Sequence, residues 1–354
     1  MEPESRIETW VRPVIRQLKP YSSARDEYTG QASSMIFLDA NENPFDSGVN
    51  RYPDPHQRKL KERIAAIRGV RTEQLLLGNG SDEILDLLFR VFCEPYKEAV
   101  ITVPPTYGMY KVLAGVNAVR NLEVPLTADF EPDVPAILNL SGIDTKILFL
   151  CSPNNPTGNS LDRERVLGLL EKFPGMVVID EAYIDFSASK GYAGLLDQYE
   201  NLVITQTLSK AYGMAGIRLG ICMANPLAIS FLKRIKPPYN VNELTQQRAL
   251  SALQDLSRTE AEIEKLRMSR EYLRNELQSI PFVHKVYPSD ANFILARVDD
   301  AKARYGQLLD RGIVVRDRSS QLNCENTLRF TVGTPQENQQ LLQTLRELNN
   351  TALA

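Results

Sequence analysis

The chain is poor in the residues that build the commonest metal sites and disulfide frameworks. Its 354 residues include two histidines, His56 in the polar stretch RYPDPHQRK and His284 in the strand-like PFVHKVY. Two isolated histidines exclude a histidine-rich metal centre, so both are assigned to surface or packing, and no metal is expected. Any general acid or base should be another residue type. The four cysteines, Cys93, Cys151, Cys222 and Cys324, are far apart with no C-x-x-C pair. Neither a disulfide framework nor a zinc site is expected, and reduced thiols fit the cytoplasm. No run approaches the roughly 18 apolar residues of a membrane span. The opening MEPESRIETW is charged and has no apolar core of a signal peptide. Lysine and arginine total 41 against 44 acidic residues. That balance lacks the basic excess that tracks nucleic-acid phosphates.

What is present is a long alternation of apolar strands and helical patterns. AVITVP, KILFLC, MVVIDEAY, LVITQT and GIRLGICMA are short and rich in Val, Ile and Leu. Such runs suit strands buried on both faces, and helical stretches between them give the βαβ rhythm of a mainly parallel sheet. A polar arm precedes this region, with a helix-like IETWVRPVIRQL followed by KPYSSAR. RKLKERIAAIR reads as an amphipathic helix ending at Gly69. After the break at Pro237-Pro238, residues 243–279 read as one long, charged, solvated helix linking two domains. The tail then gives ANFILARV, AKARYGQLLDRG, IVVRD, TLRFTVG and PQENQQLLQTLRELN, the elements of a small α+β domain.

Four segments carry chemistry. GNGSDE (78–83) is a glycine turn entering a helix that Ser81 or Asp82 can cap. Such an N-terminus binds phosphate through free amides and the positive end of the dipole. Alone, it also fits an ordinary capped turn. SPNNPTGN (152–159) follows KILFLC, at the strand end where α/β ligands bind, and Asn155 can donate to a phenolate oxygen. In VVIDEAYIDF, Asp180 follows four apolar residues. A buried carboxylate is costly without a positive partner; a protonated pyridine nitrogen, a lysine or an arginine would each serve. In TLSKAYGMAGIRLG, Lys210 has Ser209 and Arg218 for neighbours, and Gly213 and Gly216 permit close backbone approach. A lysine amine is nucleophilic when desolvation or nearby cations lower its pKa.

Together with KPYSSAR, LDANENP, RYPDP, PPTYGMY, ANFILARV, IVVRD and LRFTVGT, in this order, these segments resemble the aspartate aminotransferase superfamily of pyridoxal-phosphate (PLP) enzymes of fold type I. Within it the chain is most similar to the histidinol-phosphate aminotransferase family. The resemblance covers nearly the whole chain. It implies an α/β fold: a large domain (46–240) with a mainly parallel, seven-stranded-type sheet, a small α+β C-terminal domain (241–354), and an N-terminal arm (1–45) joining the small domain. It implies Lys210 as the Schiff-base lysine and proton shuttle. Asp180 would pair with the pyridine nitrogen, Asn155 and Tyr183 would hold the phenolic oxygen, and Tyr107 would stack on the ring. Gly80, Ser81, Ser209 and Arg218 would hold the cofactor phosphate, with Tyr52 reaching it from the neighbouring subunit of a cytoplasmic homodimer. Arg329 would bind the substrate anion, with Arg316 and Tyr21 near its distal part. The implied substrates are histidinol phosphate, glutamate and 2-oxoglutarate, in histidine biosynthesis. An aromatic or broad-range aminotransferase, or a threonine-phosphate decarboxylase, shares most of these blocks. The family commonly has NPNNPTG; here Ser152 replaces the first asparagine, at a position with no assigned catalytic role.

Overall fold

The computed structural model describes residues 5–21 and 35–349; Ser22–Arg25 of KPYSSAR lie outside the described residues. Its first sheet contains β1 (Leu75–Asn79), β2 (Ala99–Thr102), β3 (Arg120–Glu123), β4 (Thr145–Cys151), β5 (Met176–Asp180), β6 (Leu202–Thr207) and β7 (Leu219–Ala224). The spatial order is β1-β7-β6-β5-β4-β2-β3. All pairs are parallel except those of β7, which runs antiparallel to both β1 and β6. Strands β2, β5, β6 and β7 are buried along their whole length. That is the condition the continuous Val/Ile/Leu runs anticipate.

Twelve α-helices lie among the described residues. Those flanking this sheet are α1 (Arg6–Trp10), α2 (Pro13–Gln17), α3 (Arg58–Arg68), α4 (Ser81–Phe92), α5 (Met109–Val116), α6 (Val134–Leu140), α7 (Arg163–Lys172), α8 (Pro226–Ile235) and α9 (Glu243–Gln254). Alternation along the strands feeds two cores. Leu148, Leu150, Val177 and Ile179 point toward α3, α6, α7 and α9. Ile147, Phe149, Met176 and Val178 point toward α4, α5 and α8. By this period of two, Asp180 falls on the second face, where α5 carries Tyr110.

The second sheet, β8 (Val283–Val286), β9 (Phe293–Val298), β10 (Arg316–Asp317) and β11 (Thr327–Thr331), is antiparallel in the order β10-β11-β9-β8. Its core packs against α10 (Ser257–Leu277), α11 (Ala301–Asp310) and α12 (Pro335–Asn349) through Leu273, Leu308 and Leu342.

Several expectations are corrected. The single helix over 243–279 is two helices, separated where Asp255 accepts from the Ser257 amide at 2.9 Å. That local bond gives the backbone an alternative to helix. IVVRD pairs only at Arg316–Asp317. Neither Ser81 nor Asp82 caps α4: its N-cap is Gly80, with no side-chain bond. The described part of the arm does not join the small sheet. Ile7, Trp10, Val11 and Ile15 form an apolar stripe that needs cover, and they pack in the core of the large sheet with α4 and α8. Arg12 anchors it by donating to the Arg90 carbonyl at 2.9 Å and to Glu94.

Candidate active site

The C-terminal ends of β4, β5 and β6 lie side by side, with Cys151 paired to Asp180 and Asp180 to Thr205. Strand β1, antiparallel to β7 as β6 is, brings the start of α4 to the same edge. Between them is a cavity of about 180 Å³. Asn155, Asp180, Tyr183, Ser209 and Lys210 line it from the strand ends, and Ser81, Tyr107 and Arg218 close it. Residues from segments more than a hundred positions apart thus share one hollow.

Asp180 is 3% exposed. Its Oδ2 accepts from the Tyr110 hydroxyl at 2.7 Å and its Oδ1 from the Ala182 amide at 3.2 Å. Burial pushes its carboxyl above the usual carboxylate range, and the Tyr110 bond opposes that shift. Its hydrogen-bond partners are neutral donors, so the carboxylate faces the cavity suited to a cationic group. Lys210 Nζ lies 5.7 Å from the centroid of the Tyr183 ring. Burial holds the Lys210 amine below its ordinary value, Arg329 and Arg218 add to this, and Asp180 opposes it.

The other end of the cavity is shaped for an anion. Gly80 has φ 81°, and a Cβ on it would lie 2.7 Å from Arg218 Nη2. A Cβ on Gly220 would collide with the Gly80 carbonyl carbon and the Ser81 nitrogen. Arg218 therefore lies directly against the uncapped N-terminus of the 12-residue helix α4. The Ser209 hydroxyl, which accepts from Thr207 Oγ1 at 2.9 Å, lines the same space. Of the acidic side chains of the first turn, Asp82 also lines the cavity, where it accepts from the Tyr107 hydroxyl at 3.1 Å, and Glu83 accepts from Asn240 Nδ2 at 2.7 Å. Free amides, two hydroxyls and a guanidinium make a phosphate cradle. With the Asp180 carboxylate and the Lys210 amine lining the same cavity, the donor set fits pyridoxal phosphate.

The Arg329 guanidinium arrives from the second sheet. Its Nη1 donates to Asn155 Oδ1, and its Cζ lies 5.0 Å from the Phe293 ring centroid. Burial lowers its pKa, as does the charge of Arg318. Arg316 lies directly across from it in the β10–β11 ladder. Arg316 is exposed and does not line this cavity, and two further expected residues are not brought to it. Tyr52 is 52% exposed and stacks on Tyr239 at 4.4 Å. Tyr21 is 76% exposed and lines a separate hollow with His56 and Lys233.

Sequence reasoning missed Tyr110, Asp82, Cys151 and Thr207. Cys151 ends KILFLC, Thr207 opens TLSKAYGMAGIRLG and Asp82 lies within GNGSDE, so the strand-end and turn arguments that selected Asn155 and Ser81 could have included them. Tyr110 lies three residues after Tyr107, in the first turn of α5, with the two rings 5.5 Å apart, and its place within PPTYGMY was the available signal.

The aminotransferase class I and II family profile matches residues 27–345. The histidinol-phosphate aminotransferase of Flavobacterium johnsoniae is 59% identical over 344 residues, 97% of this chain and 99% of that protein. The solved structure of the histidinol-phosphate aminotransferase from Clostridium acetobutylicum is 26% identical with a TM-score of 0.80, covering 86% of this chain and 92% of that one. The same fold is found in the enzyme of that name from Sinorhizobium meliloti in complex with pyridoxal-5'-phosphate, at 23% identity and a TM-score of 0.77, over 85% and 83% of the two chains.

Proposed function

The chain belongs to the aminotransferase class I and II family, and from that premise we propose that it transfers an amino group between glutamate and imidazole-acetol phosphate, giving 2-oxoglutarate and histidinol phosphate in histidine biosynthesis. The observation that carries this reading is the 59% identity, over nearly the full length of both chains, to a histidinol-phosphate aminotransferase. The cofactor is pyridoxal 5'-phosphate. When bound, it supplies an aldehyde that condenses with amines and a protonated ring that withdraws electrons from the reacting carbon.

The chain's own residues divide that work. Lys210 Nζ, whose pKa burial and then Arg329 lower, would hold the cofactor's aldehyde carbon and move the proton at the reacting carbon. Asp180 would pair with the ring N–H and favour its protonated form. Asn155 and Tyr183 would hold the phenolic oxygen, and Tyr107, bonded to Asp82, would support the ring. The Gly80–Ser81 turn, Ser209 and Arg218 would hold the phosphate. Arg329 binds the anionic group of either donor, since a planar guanidinium accepts a carboxylate or a phosphate in bidentate fashion.

The working unit in this reading is a cytoplasmic homodimer. Ile36, Leu38, Phe45, Val49 and Tyr52 are exposed on one stretch of chain, and a second subunit would cover them. Tyr52 would then reach the cofactor phosphate of that subunit, with Tyr21 near the distal part of the substrate. Light scattering of the active enzyme should give twice the 39.9 kDa chain mass.

The test of function is a coupled assay of the cofactor-loaded protein with glutamate and imidazole-acetol phosphate, following 2-oxoglutarate and histidinol phosphate together. Equimolar formation of both is expected. Absence of histidinol phosphate, or release of CO2 from threonine phosphate in its place, overturns the reading.

A further inference from the structure

The sheet face that presents Arg329 carries two more guanidiniums. The β10–β11 ladder pairs Arg316 with Arg329. It continues one residue past β10, where the Arg318 amide donates to the Thr327 carbonyl at 2.9 Å. Side chains alternate along a strand and directly opposed residues share a face, so Arg316, Arg318 and Arg329 project to the same side. Asp317, between the two arginines, projects to the other. Its carboxylate is occupied by the Ser319 amide at 2.8 Å and the Ser319 hydroxyl at 2.6 Å.

Among the described residues no acidic side chain forms a salt bridge with Arg316, Arg318 or Arg329. Glu325, the acid nearest in sequence after Asp317, pairs with Arg297 at 3.6 Å. Arg318 and Arg329 each bury an Nε that has no hydrogen-bond partner. Burial and the charge of Arg316 lower the Arg318 pKa, and burial and Arg318 lower that of Arg329. Burial pushes the Tyr183 phenol up, and the charges of Arg329 and Arg318 act on it in the opposite direction. Arg329 donates to Asn155 of the Lys210 cavity, and Arg316 and Arg318 share its sheet face, with no acidic partner paired to any of the three among the described residues. Such a cluster is unfavourable until an anion of comparable charge enters it.

We propose that Arg318 is a specificity-determining residue that, with Arg316 and Arg329, completes a subsite for a dianionic phosphate ester and favours it over a carboxylate. A carboxylate carries one charge and is satisfied by a single guanidinium fork. A phosphate monoester carries about −1.5 to −2 near neutral pH and offers three acceptor oxygens. It therefore uses the third guanidinium. This inference rests on the reading that one donor is a phosphate ester.

The test uses the cofactor-loaded enzyme and its Arg318→Gln and Arg318→Lys variants, with thermal melting to confirm folding. With Arg318→Gln, KM for histidinol phosphate should rise about ten- to hundredfold, the loss of one charge-assisted contact. The glutamate KM should move by less than about threefold, because a carboxylate needs only one fork. Arg318→Lys should recover part of the phosphate affinity. Inorganic phosphate, as a competitor of glutamate, should bind more weakly to Arg318→Gln by a factor similar to the histidinol phosphate shift. Equal losses for both donors, or none for histidinol phosphate, overturn the proposal. If the unsubstituted enzyme uses glutamate but not histidinol phosphate, the functional reading fails. The phosphate competition then decides for or against Arg318 by itself.

Discussion

The Tyr110 hydroxyl donates to Asp180 Oδ2 across 2.7 Å, and both side chains are buried. The bond fixes the carboxylate at the end of β5 and offsets part of the penalty of burying it. Without it, burial would push the Asp180 carboxyl further above the usual range, since the Tyr110 bond acts against that shift. A hydrogen bond to a charged group contributes about 1.5–3 kcal/mol. Tyr110→Phe should therefore weaken binding of pyridoxal phosphate to the cofactor-free protein by about ten- to hundredfold. The acid limb of binding against pH should move upward, because Asp180 must be ionised to hold a protonated ring nitrogen. Asp180→Asn should slow both half-reactions more than it weakens phosphate anchoring. Fluorescence titration over a pH series reads the first effect and single-turnover kinetics the second. A Tyr110→Phe protein with unchanged affinity and pH profile would remove Asp180 as the counter-ion.

The difference between Asp180 and Tyr110 marks what could be read along the chain. Asp180, Lys210, Asn155 and Ser81 stand at strand ends or glycine turns, where local pattern and α/β topology together identify a ligand edge. Tyr110 lies on the buried face of α5. There a core aromatic looks the same whether or not its hydroxyl meets a carboxylate 70 residues away. The edge strand β3 was invisible because RNLE is polar and half-exposed, and such a strand shows no apolar run. Arg318 escaped because β10 is two residues long. Its common face with Arg316 depends on pairing to a strand that begins at Thr327. The division of α9 from α10 turned on one Asp255 side-chain bond, which the continuous charge pattern concealed.

Lys210 is the one amine lining the cavity among the described residues, and its pKa is held down first by burial and then by Arg329. Borohydride reduction of the cofactor-loaded enzyme should fix the cofactor to Lys210, seen by peptide mass mapping. Lys210→Ala should lose this adduct, the absorbance of the lysine-bound cofactor and nearly all transamination. It should still bind pyridoxal phosphate through the cradle at Gly80, Ser209 and Arg218. An adduct on a different lysine would refute the assignment.

The cradle depends on close packing of two backbones. A Cβ at Gly220 would collide with the Gly80–Ser81 peptide, and backbone atoms cannot rotate aside as side chains can. Gly220→Ala should destabilise the protein by about 1–3 kcal/mol, the usual range for overpacking. It should also displace the start of α4 and weaken cofactor binding. Gly216→Ala, where a Cβ meets nothing within 4 Å, is the control and should leave both properties near wild type. Melting temperature and cofactor titration measure the two. Equal behaviour of the variants would show that the turn can yield.

Glu181, the neighbour of Asp180, points to the opposite side and is buried, with no cation among the described residues bonded to it. Its Oε1 accepts from the Tyr192 amide at 2.8 Å and its Oε2 from Gln206 Nε2 at 2.7 Å. Arg68, the nearest cation acting on it, is engaged with Asp185 at 2.7 and 3.1 Å. Burial raises the Glu181 carboxyl from 4.5 to about 7. The folded state thus favours the protonated form. The sign follows directly: the stabilisation is complete below about 4.5, is lost as pH rises through about 7, and is constant above that. Its upper limit is about 3 kcal/mol, at about 1.4 kcal/mol per pH unit. Glu181→Gln abolishes the titration while keeping the shape. Gln206 Oε1 is buried with no partner, so a flip of the Gln206 amide lets it accept from the new amide N–H. Between about pH 5 and about pH 8 the melting temperature of the variant should fall less than that of the unsubstituted protein, and at the upper end it should be no lower. Thermal melting across that range, at constant ionic strength and with saturating cofactor, measures the difference. Parallel curves would show that Glu181 is ionised throughout and that its neighbours solvate the charge fully.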